Sequence, residues 1–218
     1  MRRFFSHSIP FTPWRAKNQW DLSFARLSIL SLGLLLFGFG DGLLIISHLG
    51  NAPWSVLSQG LSLQLGISIG WATFLVSASV LLLWIPFKQR PGLGTLANIA
   101  IIAVAIDVTV AWVPIPSNLA LRGALVIVGI ALVGAGSALY LTCGLGPGPR
   151  DGLMTAIHYA TGSSVARVRA AIEGSVLALG WFLGGRVGVG TALFALGIGA
   201  SVALWLTVVG HLTKNTDQ

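Results

Sequence analysis

The fold of this chain is decided by a stretch that occurs twice, as Gly50-Asn51-Ala52-Pro53-Trp54 and as Gly146-Pro147-Gly148-Pro149-Arg150. Each copy lies at the same place in one of two segments, 26–110 and 122–206, which align without a gap at a fixed offset of 96 residues. Glycine and proline set what the backbone can do, so their recurrence indicates a repeated structure. The matched positions include Gly33/Gly129, Gly38/Gly134, Gly40/Gly136, Gly50/Gly146, Pro53/Pro149, Gly66/Gly162, Gly92/Gly188 and Gly94/Gly190.

The composition excludes a water-soluble domain. Of the 218 residues 55% are hydrophobic and only 9% are charged, which is far more apolar than a soluble protein. Several apolar runs approach the roughly 20 residues that a helix needs to cross a bilayer. These runs are continuous rather than alternating, which argues against a β-barrel. We predict an all-α polytopic membrane protein with long helices at about 24–47, 67–87, 93–113, 122–143, 164–184 and 190–211.

The domain organisation is simple. We expect a single transmembrane domain, residues 24–212, between a basic N-terminal tail, residues 1–23, and a short tail, residues 213–218. The formal net charge of +7 does not indicate nucleic-acid binding, because the basic residues lie in the N-terminal tail and at helix ends, as the positive-inside rule expects. The single Cys143 excludes a disulfide within the chain.

Two shorter helices are predicted between the long ones, at residues 53–65 and 149–161. Each opens with a proline, which loses no hydrogen bond in the first turn of a helix, and each stops at a glycine. A helix of this size is about 20 Å long, less than the hydrocarbon thickness of a bilayer. We favour re-entrant half-helices. Helices that lie flat at the membrane surface with their polar face in water remain the alternative.

The distribution of Lys and Arg predicts the topology. If the short helices do not cross the membrane, each repeat has three spans and the two halves are inverted relative to each other. Most basic residues then lie on one side, whereas four spans per repeat and parallel halves would divide them more evenly. We therefore predict about six transmembrane helices, two inverted-topology repeats (26–110 and 122–206) and both termini on the cytoplasmic side.

The short helices carry the candidate solute-binding residues. On the first, four polar residues follow the i, i+3, i+4, i+7 spacing of one helical face. The equivalent face of the second is also largely polar, and Arg150 lies at its positively polarised N-terminal end. Two such half-helices facing each other would suit a small polar or anionic solute. The candidates are Arg150, Asp151, Thr155, His158, Ser55, Ser58, Gln59 and Ser62.

Four further charged residues are candidates for ion coupling or for buried charge, namely Asp41, Asp107, Glu173 and Arg169. A carboxylate inside the membrane is costly unless it is paired or faces water, which makes each acid a functional candidate. We hypothesise that Asp107 and Glu173 act together as paired acids that take protons during transport. The alternative is a static ion pair between Arg169 and Glu173, one helical turn apart.

No motif indicates an enzyme. The chain has no Ser/His/Asp set, no His-Glu-x-x-His and no Cys-x-x-Cys, and its four histidines lack metal-ligand spacing. The Gly-x-Gly motifs are not nucleotide fingerprints, because no strand precedes them. We expect a protein that is not an enzyme and that uses neither cofactor nor metal.

The chain resembles the YczE-type family of bacterial integral membrane proteins, which is related to the YitT type. The most specific part of the resemblance is Gly148-Pro149-Arg150-Asp151-Gly152. The chain departs from the family at Ser55, where the usual Pro-Trp-Asp is Pro-Trp-Ser. The resemblance implies a polytopic inner-membrane protein of bacteria whose substrate and activity are not established. It rests further on Gly50–Leu57, Gly94–Asp107, Arg167–Glu173, Leu183–Thr191 and Phe194–Gly199.

These observations favour a small-solute transporter with its site between the two half-helices. A solute channel of the same architecture and a non-transporting scaffold or regulatory subunit are the alternatives. The expected partners are the lipid bilayer and an unknown small solute, and not nucleic acid. Assembly into a homo-oligomer is left open.

Overall fold

The computed structural model describes residues 9–214, and all regular structure within that range is α-helical. This confirms the predicted all-α class. The helix boundaries agree with the predicted ones to within about three residues, except at the end of α3. Residues 1–8 and 215–218 of the two predicted tails lie outside the described residues. The helices are α1 (Phe24–Ser47), α2 (Pro53–Leu65), α3 (Ile69–Leu82), α4 (Leu93–Trp112), α5 (Leu119–Cys143), α6 (Pro149–Thr161), α7 (Val165–Phe182) and α8 (Val189–Lys214).

Helix α3 is shorter than the predicted 67–87. It ends at Leu82 and continues as turns toward Lys88. Pro86 lies within this segment; it lacks a backbone N–H, and the residue before a proline avoids helical geometry. At 14 residues, α3 does not by itself have the length of a full span.

By length and composition, four helices in the described chain can cross a membrane: α1, α4, α5 and α8. The number becomes five if α2 and α3, which are bent by 115° relative to each other, count as one broken span. The predicted span α7 differs from these four because its 18 residues include Arg167, Arg169 and Glu173. The protein is therefore a polytopic membrane protein, and of the six predicted spans α3 and α7 are the two that length and composition do not support on their own.

The centre of the fold is the crossing of α1 and α5. Gly40 of α1 meets Gly129 of α5, and a Cβ on either would lie 2.7 Å from the carbonyl oxygen of the other. Gly33 faces Gly136 in the same way. Gly33 precedes Gly40 on α1, whereas its partner Gly136 follows Gly129 on α5. These two helices, which are equivalent in the repeats, therefore run antiparallel. This is the inverted relation that the sequence predicts.

The contacts among the other helices also correspond when each helix is replaced by its equivalent in the other repeat. Helix α1 packs on α4 as α5 packs on α8, and α2 packs on α7 as α6 packs on α3. The loops repeat the pattern, because Gly94 N donates to Leu145 O and the equivalent Gly190 N donates to Leu49 O, both at 2.8 Å. A pseudo-two-fold axis therefore relates residues 26–110 to residues 122–206.

We expect Gly129→Val to destabilise the protein. Its side chain would meet the Gly40 carbonyl, and such overpacking costs about 1–3 kcal/mol. Gly123→Val is the matched control on the same helix, since a Cβ there meets nothing within 4 Å. Thermal melting of the two purified variants in detergent checks this. Equal melting temperatures would contradict a close α1–α5 contact.

The loop after α1 holds a histidine whose protonation is disfavoured. His48 lies in contact with the guanidinium of Arg186. Burial lowers the pKa of His48, and the positive charges of Arg186 and Arg122 lower it further. Because the folded-state pKa lies below the unfolded-state value, the neutral ring contributes stability above about pH 6.5. That contribution is lost as the pH falls through the folded-state pKa.

Thermal melting at a series of pH values should show this dependence. We expect the melting temperature to drop between about pH 7.5 and about pH 5, and His48→Gln to reduce that drop because Gln does not take up a proton. His211→Gln, at an exposed position on α8, is the control and should retain the drop. If the two variants lose equal stability on acidification, His48 is not the responsible group.

Candidate functional site

A cavity of about 340 Å³ lies on the pseudo-two-fold axis. Its walls are formed largely by repeat-equivalent positions, among them Phe37 with Val133 and Ile102 with Ile198. A volume of this size is at the small end of ligand-binding cavities. In transporters built from inverted repeats, solutes bind at the interface between the repeats. The cavity is therefore the candidate site.

The N-terminal ends of α2 and α6 meet at this cavity. Trp54 and Arg150, the second residues of the two helices, occupy equivalent positions in the repeats. The guanidinium carbon of Arg150 lies over the Trp54 ring, 5.0 Å from the ring centroid. This distance is within the range of a cation–π interaction. The half-helices thus contact each other through their first turns.

The start of α6 is fixed by Trp84, which follows α3. The indole Nε1 of Trp84 donates to the carbonyl oxygen of Pro149 at 2.9 Å. Its ring fills the space where a side chain at Gly152 would stand, which only glycine permits. The anchor is completely inside the protein, because Trp84 is buried. Arg150 is consequently held on a rigid element next to the cavity.

Each repeat places one carboxylate near the axis, at positions that are not equivalent. In the first repeat the acid is Asp41 on α1, whose Oδ2 accepts a hydrogen bond of 2.6 Å from Ser55 on α2. In the second repeat the acid is on the short helix, and Asp151 Oδ2 accepts a hydrogen bond of 2.6 Å from the Tyr140 hydroxyl on α5. The equivalents of Asp41 and Ser55 are Ser137 and Asp151. Serine and aspartate have therefore exchanged places between the repeats.

Arg150 carries a positive charge into this environment. Within residues 9–214 its guanidinium forms no ion pair and no hydrogen bond. It interacts electrostatically with Asp41, Asp151 and Glu173, but its N–H donors stay available to a ligand. Two buried polar atoms that also line the cavity have no hydrogen-bond partner in this part of the chain, Asp41 Oδ1 and Trp54 Nε1.

The structure brings five of the sequence-predicted residues to the cavity, Arg150, Asp151, Asp41, Arg169 and Glu173. Ser55 reaches it through its hydrogen bond to Asp41. The others do not line it, and they are Ser58, Gln59, Ser62, Thr155, His158 and Asp107.

The two polar stripes do not face each other, because their side chains bind nearby loops and backbone. Gln59 Oε1 accepts from Asn51 Nδ2 at 2.8 Å and from Arg186 N at 2.7 Å. Ser62 donates to the Ile67 carbonyl at 2.6 Å. These two residues of the predicted α2 stripe therefore bind neighbouring loops and not the cavity.

The stripe of α6 is used in a similar way. Thr155 donates to the Asp151 carbonyl of its own helix at 2.8 Å. A ring nitrogen of His158 lies 2.6 Å from the Ser163 carbonyl in the following loop. Helical periodicity identified these faces correctly but could not show which neighbours they meet.

The predicted pairing of Asp107 with Glu173 is not found. Asp107 accepts hydrogen bonds from Ser68 Oγ at 2.5 Å and from Gly70 N at 2.6 Å, at the start of α3. Glu173 instead accepts from Arg169 Nε at 2.9 Å. The two acids lie on helices that form no packed pair within the described chain.

Helix α2 lies across the end of α7. A Cβ at Gly60 would meet the Gly180 carbonyl oxygen and Leu183, and Gln64 donates to the Leu183 carbonyl at 3.0 Å. Ser58, on its polar face, is completely buried. This contradicts the alternative in which that face lies in water. Re-entrance of α2 into the bilayer stays a prediction.

Sequence reasoning missed Trp54 and Tyr140 as site residues. Trp54 could have been found from the repeat, because it occupies the position equivalent to Arg150. Tyr140 has no such signal, since its equivalent is Leu44. Among residues 9–214 no group of three His, Cys, Asp or Glu side chains could hold a metal ion.

Comparison with known proteins places this architecture in a family. The family described as DUF6198, a family of unknown function, matches residues 24–207. The chain belongs to this family. No solved structure matches the chain.

Individual relatives extend over almost the same length. An uncharacterized protein of Haemophilus influenzae is 47% identical over 204 residues, which are 94% of each chain. The uncharacterized membrane protein YczE of Bacillus subtilis is 33% identical over 181 residues, 82% of this chain and 80% of its own. YyaS of the same organism, also uncharacterized, is 27% identical over 193 residues, 84% of this chain and 94% of its own. The predicted YczE-type membership is confirmed.

We expect Tyr140→Phe to lower the stability of the protein, because it removes a hydrogen bond at the site. The change leaves the partly buried Asp151 carboxylate without the Tyr140 donor, and a hydrogen bond to a charged group contributes about 1.5–3 kcal/mol to stability. Tyr159→Phe is the control on α6, because Tyr159 is exposed. A lower melting temperature for the first variant alone is the expected result. No difference between the two would mean that the hydroxyl does not hold Asp151.

Proposed function

We propose that the protein is a transporter of a small polar solute, with its binding site in the cavity between α2 and α6. The observation that carries this proposal is Arg150, a guanidinium with available donors at the centre of an inverted repeat. A charge inside a membrane domain is costly and is kept where it has a function. We propose further that the protein is not an enzyme and that it resides in the bacterial inner membrane with both termini in the cytoplasm.

The site chemistry favours a solute with an anionic group. Arg150 offers N–H donors, and the N-terminal ends of α2 and α6 add partial positive charge from their peptide dipoles. Unpaired Trp54 Nε1 is a further donor, while the unpaired Asp41 Oδ1 is an acceptor. A ligand that carries an anionic oxygen next to a hydrogen-bond donor would pair all of these groups.

The architecture supports alternating access. In inverted-repeat transporters the two halves exchange conformations around a site on the pseudo-two-fold axis. Here the axis passes between Trp54 and Arg150, whose contact is one ring face against one guanidinium. The two sides of this contact are chemically different, so a bound solute would meet different groups when the two halves exchange conformations. A ligand shifts the equilibrium between two conformations by the difference in its affinity for them.

Transport into proteoliposomes tests the proposal. The purified protein is assayed with radiolabelled acetate, lactate, glycine, glutamate and phosphate as probes, and saturable uptake with counterflow is expected for at least one of the carboxylates. Arg150→Gln should reduce that uptake about tenfold or more, because a charge-assisted hydrogen bond contributes about 1.5–3 kcal/mol. Arg90→Gln is the control at an exposed position.

Three outcomes contradict the proposal. Flux without counterflow or saturation would indicate a channel. No flux of any probe, together with co-purification of a second protein, would indicate a scaffold or regulatory subunit. Full uptake by Arg150→Gln would move the site away from the cavity.

A further inference from the structure

The two repeats differ in how their third and fourth helices are joined. At the start of α3, both carboxylate oxygens of Asp107 are used, one by Ser68 Oγ at 2.5 Å and one by Gly70 N at 2.6 Å. A Cβ at Gly70 would also meet the Ala103 carbonyl of α4, so glycine permits a close approach. These three residues, here termed the α3–α4 clamp, fasten the start of α3 to α4.

The second repeat lacks the clamp. Ser164 is retained as the equivalent of Ser68, but Gly70 is replaced by Ala166 and Asp107 by Ala203. Helices α3 and α4 pack on each other, whereas α7 and α8 form no such pair in the part of the chain that the structure describes. Helix α7 correspondingly buries only Val168 and Gly180.

The cavity extends into the gap between α7 and α8. Arg169 and Glu173 line it from α7, while Phe194, Ile198 and Val202 line it from α8. Gly174 on α7 and Gly199 on α8 have nothing within 4 Å of an added Cβ, which shows open space on both helices. The cavity is consequently bounded by the packed helices α3 and α4 on one side and by α7 and α8, which are not packed on each other in the same way, on the other side.

The cavity has two chemically distinct ends. Near the axis, the guanidinium of Arg150 and the unpaired atoms Trp54 Nε1 and Asp41 Oδ1 form a polar end. Toward the gap, the wall from α8 is apolar, and the ion pair of Arg169 with Glu173 lies on the opposite side. A wholly hydrophilic solute would use only the first end.

We propose that the ligand is an anionic amphiphile, with a carboxylate and an adjacent N–H in the polar end and a single alkyl chain that leaves between α7 and α8. This rests on the proposed function, because it assigns the substrate class of the same site. The carboxylate pairs with Arg150 and the N–H donates to Asp41 Oδ1, as charge and donor chemistry require. A cavity of about 340 Å³ holds the head group and the first part of a chain.

Photo-crosslinking on the full chain in phosphatidylcholine nanodiscs tests this. The probe is N-dodecanoylglycine with a diazirine near the end of its chain, and labelled peptides are located by mass spectrometry. We expect labels concentrated on 174–178 of α7 and on 199–203 of α8, reduced about tenfold in Arg150→Gln. The matching N-dodecanoylsarcosine probe, which lacks the N–H, should label these segments less. Similar labels on all lipid-facing helices, unchanged in Arg150→Gln, would overturn the proposal.

A variant that introduces the clamp into the second repeat tests whether the alkyl chain of the ligand leaves between α7 and α8. Ala166→Gly with Ala203→Asp restores the missing groups next to Ser164 and should draw α7 to α8, which reduces the labelling about fivefold or more. Ala166→Gly with Ala203→Ser is the matched control, because serine lacks the two carboxylate oxygens. Labelling of the grafted variant at the level of this control would overturn a path between α7 and α8. So would labels confined to the apolar groove between α3 and α7, which includes Leu57, Leu75 and Ile172.

A short analogue separates this inference from the transport proposal. N-acetylglycine has the same head group without a long chain. If it is taken up in an Arg150-dependent way while the dodecanoyl probe gives no specific label, transport stands and the amphiphile assignment fails. Specific labelling without flux of either compound would support the ligand class and remove the transport function.

Discussion

The close contact of α1 with α5 is the constraint on which the rest of the structure depends. Lipid is as apolar as the helix surfaces, so association relies on backbone approach at small residues. Gly40 and Gly129 provide that approach at the crossing, and Gly33 and Gly136 provide a second one about two helical turns further along the same two helices. Because these positions are equivalent in the repeats, a single antiparallel contact creates the pseudo-two-fold axis. The exchange of helix contacts, the reciprocal loop hydrogen bonds and the position of the cavity all follow from it.

The scaffold is nearly symmetric, but the chemistry at its axis is not. Position 54 is tryptophan where position 150 is arginine, and the acid on α1 has its counterpart on α6. The carboxylates of Asp41 and Asp151 near the axis each accept a hydrogen bond from a neighbour on another helix, Ser55 and Tyr140 respectively. Inverted repeats supply two equivalent half-sites, and substitution at equivalent positions turns them into one site with a donor end and an acceptor end. The same divergence opens the gap between α7 and α8.

Much of the fold could be predicted, because apolar runs and proline or glycine boundaries are local signals. The short helices begin at Pro53 and Pro149, as their sequences indicate. Helix α3 ends earlier than its apolar run, because Pro86 lacks the backbone N–H that would continue the helix. Charged residues within the apolar segments were the feature that best indicated the position of the site, because Arg150, Asp41 and Asp151 line the cavity. The polar stripes were misleading, since periodicity shows that residues share a face but not what that face contacts.

The sequence by itself determined the membrane class, the repeat, the inverted relation of its halves and the residues whose burial requires a reason. Each of these depends on composition or on spacing along one chain. Only the tertiary structure decided that Trp54 meets Arg150, that Asp107 holds α3 rather than pairing with Glu173, and that α7 stands away from α8. These contacts join residues far apart in the chain, and their geometry depends on how closely two backbones approach, which no local pattern encodes.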